Sequence, residues 1–383
     1  MANIITITNA KFCRQTLKQQ ADRKQIIRLF RGAYIDAREY AELDIAGKYR
    51  ARAEAFLLTH PKLRPWGITA AALEGAPVLY GAQLHFAGTS GNAKSKQEGC
   101  TFHEALPFVP TVNNRTAEVL FECATTSPLA EALLAVNFLF RSLSDKTDGS
   151  LTASREVDEK TTESIIFLPL NSQTARVSIQ GAFDVRKLDS GKPGFLDTYN
   201  SARRMEFSTP DAELLWLDYT QLCMAHSNRR AIRKALLAGL YFTDKADSPA
   251  ESMLIARCVE LGFQTPLLQV NIFDPVDGKH LGRVDGLWPS GKVLKGLRQS
   301  DGKHGRFIYS KQYGDSNSII VEFDGKMKYE QNYSEALEKE RLRQNAIGNL
   351  GFRFIRIAWD DLMQPDSLRV ILAAAKVPKS RRN

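Results

Sequence analysis

Ser318-Ile319-Ile320-Val321-Glu322-Phe323-Asp324-Gly325-Lys326-Met327-Lys328-Tyr329 is the stretch whose reading decides the fold. It opens as a short apolar run and passes into a basic, glycine-containing segment, which predicts a buried strand over 318–324. Residues two apart on a strand share a face, so Glu322 and Asp324 point the same way, and Lys326 joins them if the strand stays regular. Two carboxylates on one face repel each other and are costly to bury unpaired. A hard divalent cation resolves the conflict, because Mg²⁺ takes one or two carboxylates together with water and phosphate oxygens. The alternative is plain structure: Asp324-Gly325 and Asp285-Gly286 are also common hairpin-turn pairs.

Working outward, Ser248-Pro249-Ala250-Glu251 reads as a helix start, with Ser248 as cap and Glu251 as its capping-box partner. Leu254, Ile255, Cys258, Val259 and Leu261 mark the buried face, and Gly262 ends the helix. Strands are expected at 267–273 and 281–288, the second carrying Asp285, a third carboxylate for the same centre. A long basic connection precedes the 318–324 strand. A charged helix over 334–350 and a strand over 352–358 follow it. The order helix, strand, strand, strand, helix, strand defines a mixed α/β (α+β) core, a mixed sheet flanked by helices.

The chain has 383 residues, which implies more than one domain. We expect a mixed α/β region at 1–142, a linker and stranded insertion at 143–209, a helical connector at 210–244 and the core above at 245–383. In the first region, 14–35 reads as helix then a ribbon broken at Gly32, 46–59 as a helix, and 69–75 as a short helix capped by Thr69. Strands are expected at 77–87 and 106–112, and a helix at 128–142. Residues 143–163 are polar without apolar period and read as a loop. Strands near 164–183 and a turn at 190–195 come next. The basic side chains Arg229, Arg230, Arg233 and Lys234 read as a solvated helix surface.

The five cysteines form no CxxC pair and have no histidine at zinc-ligand spacing, so no disulfide framework or zinc site is expected. There is no signal peptide and no apolar run long enough to cross a bilayer, which predicts a cytoplasmic protein without membrane contact. A net charge of +9 fits a polyanionic partner, nucleic acid above all.

The motifs also carry a family resemblance. Val321 to Tyr329 resembles the E-F-D-G-x-x-K-Y signature of bacterial proteins related to the very-short-patch-repair (Vsr-like) endonucleases, a PD-(D/E)XK nuclease group. Glu338-Lys339-Glu340-Arg341 resembles their E-K-x-R helix, and Gly351 to Leu362 their G-x-x-V-x-R-x-x-W-x-D-L ending. Ser248 to Ser252 resembles their S-P-x-E-S opening, and Pro266 to Val270 and Val284-Asp285 match the strands between. The resemblance implies a restriction-endonuclease-like fold and a Mg²⁺- or Mn²⁺-dependent endonuclease acting on DNA, in phage defence or DNA repair. By it, Asp285, Glu322 and Asp324 are metal ligands and Glu251 a supporting acid. Lys328 is the electrophilic lysine, with Lys326 second, because the slot two residues after Glu322 holds Asp324.

The 290–316 connection carries Lys292, Lys295, Arg298, Lys303, Arg306 and Lys311, and is expected to be a basic flap that grips a nucleic-acid backbone. Gln269 falls on a polar strand position near the nucleic acid. Arg341 and Arg356 either contact phosphate or form pairs within the core.

Leu29 to Ile35 and Ile68 to Gly75 resemble, more faintly, the antitoxin-type domain of the AbiEi class, with Arg28 and Arg31 on a wing-like ribbon toward DNA. That region is expected to bind DNA or to hold a protein partner. The competing function is a non-catalytic DNA-binding regulator or antitoxin on a degenerate nuclease fold. An RNA substrate stays open, since no aromatic stacking platform decides between the nucleic acids.

Overall fold

The computed structural model describes residues 3–6, 14–88, 99–104, 114–152, 199, 203, 205, 207–227, 231–274, 277–290, 297–299, 306–308, 318–323 and 333–380. The chain divides into two compact units. The first comprises 1–154, 188–195 and 208–242, and the second 155–187, 196–207 and 243–383. Both mix helices with sheets, so the chain is of the α+β class.

The first unit contains β1 (Ile5–Thr6), α1 (Arg14–Asp22), β2 (Ile26–Phe30), β3 (Ala33–Asp36), α2 (Ala37–Glu42), α3 (Ile45–Thr59), β4 (Leu63–Pro65), α4 (Ile68–Leu73), β5 (Leu84–Gly88), β6 (Cys100–Glu104), α5 (Arg115–Thr126), α6 (Leu129–Thr152), α7 (Pro210–Ala225) and α8 (Ile232–Gly239). The expected ribbon is present: β2 and β3 pair antiparallel around Arg31-Gly32, where Gly32 takes φ 88°. The sheets β1-β3-β2 and β4-β5-β6 share a core on α3, where Phe56 meets Phe30 at 4.9 Å and Phe86 at 4.5 Å between ring centres. The helices α6, α7 and α8 gather on α5, so the segment expected as a connector packs within this unit.

Several expectations need correction here. Thr69 does not cap α4. It is buried, bonded to the Tyr49 hydroxyl at 2.7 Å, and accepts from the His85 N–H at 2.7 Å. The strand expected at 77–87 begins only at Leu84. α6 runs on to Thr152, ten residues beyond the expected end and into the expected loop. Its sequence there lacks a breaker until Gly149, so helical bonding continues after the apolar face has ended. The expectations for 106–112, 153–163, 164–183 and 190–195 lie outside the described residues.

Glu122 ties the first unit together. It is fully buried on α5 and accepts from Arg64 at 2.8 Å, Arg115 at 3.0 Å and the Gly67 N–H at 2.9 Å. On the neighbouring sheet, His85 Nδ1 and His103 Nε2 lie 2.8 Å apart. Burial, then the His103 charge, pushes His85 down to about 4, and burial lowers His103 as well.

The second unit contains α9 (Pro249–Leu261), β7 (Leu267–Phe273), β8 (His280–Trp288), β9 (Leu297–Gln299), β10 (Arg306–Ile308), β11 (Ile319–Phe323), α10 (Tyr333–Asn349), β12 (Arg353–Ile357), α11 (Trp359–Met363) and α12 (Pro365–Ala374). Its six-stranded sheet has the order β12-β11-β8-β7-β10-β9. β11 runs parallel to β12 and antiparallel to β8, and β7 runs antiparallel to β8 and parallel to β10. The parallel β11–β12 pair requires a crossover, which α10 supplies. Ile347 on α10 packs with Val270, Ile272, Val284, Leu287, Ile320 and Phe352, while α9 packs with α11 and α12.

Ile320→Ala should cost about 2–5 kcal/mol in urea unfolding, whereas Val370→Ala, at a side chain 68% exposed, should change stability by under about 0.5 kcal/mol. A second outcome concerns pH. His85 is lowered from 6.5 to about 4, so the stability tied to its neutral form is fully present above pH 6.5 and is lost as pH falls through about 4. His85→Leu should lose less stability than the parent chain between pH 7 and pH 5, measured by urea midpoints.

Candidate metal and nucleic-acid site

The site begins with the cap of α9. Ser248 Oγ accepts from the Glu251 N–H at 3.3 Å and donates back to Glu251 Oε1 at 2.8 Å. Pro249 stands in the first turn, and Gly262, at φ 73°, ends the helix. Glu251 Oε2 accepts from the Asp247 N–H and from Gln269 Nε2, each at 2.9 Å. Glu251 is therefore an anchored acid, 2% exposed, between the start of α9 and the middle of β7. Burial pushes its carboxyl up to about 7. The three donors oppose that rise, and the negative charge of Asp285 adds to it.

Gln269 bears the backbone strain of the site. It takes φ 51°, the left-handed region, inside a strand. The β7–β8 register runs Leu268↔Gly286 and Val270↔Val284, so Gln269 stands level with Asp285. Its amide, bound to Glu251, holds the side chain in that conformation.

The β8–β11 ladder runs Ile319↔Trp288, Ile320↔Leu287 and Val321↔Gly286, and stops there. The Val321 and Pro266 side chains fill the space beside Gly286: a Cβ there would stand 2.7 Å from Val321 Cγ1 and 3.2 Å from Pro266 Cβ. The next residues on the two strands are Asp285 and Glu322. Asp285 Oδ2 accepts from the Phe323 N–H at 3.1 Å, so a side-chain oxygen serves a backbone donor past the end of the ladder.

Glu322 is held by α10. Its Oε1 pairs with Arg343 Nη2 at 2.5 Å, and its Oε2 accepts from Gln344 Nε2 at 3.0 Å. Arg343 also binds both oxygens of Glu340, at 2.9 and 2.6 Å, and donates to the Arg283 carbonyl at 3.1 Å. Hydrogen bonding to Glu340, then to Glu322, drives the Arg343 pKa above its ordinary value. Gln344 Nε2 reaches Glu340 as well, at 2.9 Å, and its Oε1 accepts from Arg356 Nη2 at 3.1 Å.

Glu251 bonds Gln269, Gln269 stands level with Asp285, and Asp285 is followed across the ladder by Glu322. They do not close on a single point. Among the described residues no three His, Cys, Asp or Glu side chains are grouped so that they could hold a metal ion. Asp324, Lys326 and Lys328 lie outside the described residues, as do Lys292, Lys295, Lys303 and Lys311. Arg298 and Arg306 stand on β9 and β10, which pair with each other and extend the sheet beside β7. The 290–316 connection is therefore, in part, sheet edge where a flap was expected.

Arg341 is exposed on α10 and is not the arginine that reaches Glu322. Arg343, Glu340 and Gln344 do that work, and the sequence reading missed them. The signal was present: Glu340 and Arg343 are three apart, and Arg343 is four before the buried Ile347, which places it on the sheet-facing side. Arg356 is exposed and donates to the Gln344 amide oxygen, so it is not the buried core pair that was one of its expected roles. In the first unit, Arg28 and Arg31 are both exposed, and Arg28 Nε donates to the Phe30 carbonyl at 3.4 Å.

No family model matches the chain, and no curated protein or solved structure matches it. No helix among the described residues is long and apolar enough to cross a membrane.

Gln269→Leu removes one donor to the ionised form of Glu251. The carboxyl midpoint, followed by carbon-detected NMR, should then rise above about 7. An unchanged midpoint means that the Gln269 bond does not act on Glu251 in solution.

Proposed function

We propose that the second unit is a restriction-endonuclease-like (PD-(D/E)XK) nuclease that hydrolyses DNA phosphodiester bonds with Mg²⁺ or Mn²⁺. The observation that carries this reading is the end of the β8–β11 ladder, which leaves Asp285 and Glu322 as neighbours on adjacent strands beside the buried acid Glu251. The donor set fits the ion: hard carboxylate oxygens, to which Asp324 adds another in sequence, suit Mg²⁺ or Mn²⁺ and not a soft metal. Asp285, Glu322 and Asp324 would hold the ion. When bound, the ion supplies Lewis acidity toward the phosphate and lowers the pKa of an attacking water.

The protein's own groups do the rest. Glu251 and Gln269 fix the β7 end of the site, and Lys328, with Lys326 next, stabilises developing charge on the phosphorus oxygens. The 290–316 side chains Lys292, Lys295, Arg298, Lys303, Arg306 and Lys311 hold the nucleic-acid backbone. The first unit, resembling an AbiEi-type antitoxin domain, contributes DNA contacts through Arg28 and Arg31 or docks a protein partner.

One observation favours the second reading, a DNA-binding regulator without catalysis: both oxygens of Glu322 are engaged by α10. A plasmid-nicking assay separates the two. The nuclease reading expects Mg²⁺- or Mn²⁺-dependent cleavage, reduced about a hundredfold or more by Asp285→Asn or Glu322→Gln, with DNA binding retained. Tight, salt-sensitive DNA binding with no cleavage in either metal supports the regulator. Cleavage that survives both substitutions removes the site assignment.

A further inference from the structure

We infer that the His85–His103 pair is a proton-operated clasp: one hydrogen bond between the two imidazoles ties strand β6 to β5, and β6 comes away when both rings are charged. The device lies wholly in the first unit and is independent of the nuclease reading.

β5 and β6 run parallel, in register from Leu84↔Cys100 to Gly88↔Glu104. Leu84, Phe86, Cys100 and Phe102 pack in the core on α3, so His85 and His103 fall on the other face of the same strands. β6 is the last strand in the order β4-β5-β6, and among the described residues it ladders to β5 alone. The two rings lie 14° from parallel, with His85 Nδ1 2.8 Å from His103 Nε2. Trp66, itself buried, stacks on His103 at 5.2 Å between ring centres.

Proton counting sets the behaviour of such a pair. A neutral imidazole carries one N–H and one bare nitrogen, so one ring donates and the other accepts. A first added proton goes to the outer nitrogen of the donating ring and leaves the bond intact. A second has only the accepting nitrogen left, and taking it makes both facing atoms donors. The bond is then lost and two cations face each other.

The charged groups around the pair do not relieve that repulsion. On β4, Arg64 lies over the Trp66 ring, 4.8 Å from its centre. On α5, Glu122 is shared by Arg64 and Arg115, and Glu118 pairs with Arg115. α4 carries no charged side chain, and its Thr69 is bonded to Tyr49 of α3. α3 meets the strands on their core face, where Arg52 acts on Cys100 and His60 stacks on Phe56. Glu104 follows His103 on β6, is exposed and points to the opposite face. Burial lowers both imidazoles, and the charge of His103 lowers His85 further, from 6.5 to about 4. The clasp is therefore closed at neutral pH and opens as pH falls through about 4. Its loss frees β6 and uncovers Phe86 at the β5 edge.

Hydrogen exchange of the full chain, read by mass spectrometry and corrected for the intrinsic pH dependence of amide exchange, tests the clasp. The amides of residues 100–104 should lose protection about tenfold or more between pH 6 and pH 4, while those of β11 keep theirs. In the double variant His85→Gln, His103→Gln, whose amides donate and accept without titrating, that step should vanish. Nitrogen-15 NMR of the parent imidazoles, which needs no variant, should show one bare and one protonated nitrogen at the facing positions at pH 7. Protection at 100–104 that is unchanged down to pH 4 overturns the clasp. So does an equal loss at β11, which is general acid unfolding, or the same step in the double variant. Facing nitrogens that are both bare or both protonated at pH 7 overturn it as well. Should the double variant not fold, the exchange and NMR of the parent chain decide.

Discussion

The candidate site depends on one hydrogen bond, from the Phe323 N–H to the Asp285 carboxylate. A regular antiparallel ladder would continue past Val321↔Gly286 and spend its backbone groups on each other. Here it stops, and Asp285 serves a backbone donor with one oxygen. That keeps an acid at the sheet, next to Glu322. At the last pair, Val321↔Gly286, the Val321 side chain lies over the glycine where a Cβ would stand.

Helices finish what the strands begin. α9 presents Glu251 through its own cap, so the bonds that start the helix also fix the acid. α10 is the crossover that parallel β11 and β12 require, and its sheet-facing side carries Arg343 and Gln344 to Glu322. Ile347, one turn further on, buries that same side against Ile320 and Leu287. Packing and polar positioning therefore come from one helix face: the apolar turn sets the depth at which the arginine works.

Much of this was legible in the residues. Ser248, Pro249, Glu251 and Gly262 announce α9 by local chemistry alone, and the observed caps agree. The apolar run at 318–323 marks β11 because strands buried on both faces lose alternation. Other features were hidden for physical reasons. Arg343 was missed because a helix mixing many charges does not reveal which one turns inward until the packed face is known. β9 and β10 were missed because three-residue strands have almost no period and are stabilised by the edge they join. Thr69 suits a cap by residue type, yet its burial beside Tyr49 and the His85 N–H gives its hydroxyl stronger partners. α6 overran its apolar stripe because helix formation continues until something stops it.

The most direct measurement is anomalous diffraction from crystals of the full chain grown with Mn²⁺. The account predicts a manganese peak beside Asp285 and Glu322, with Arg343 still bonded to Glu322. Well-ordered density for both acids with no manganese between them, or manganese bound elsewhere, would contradict it.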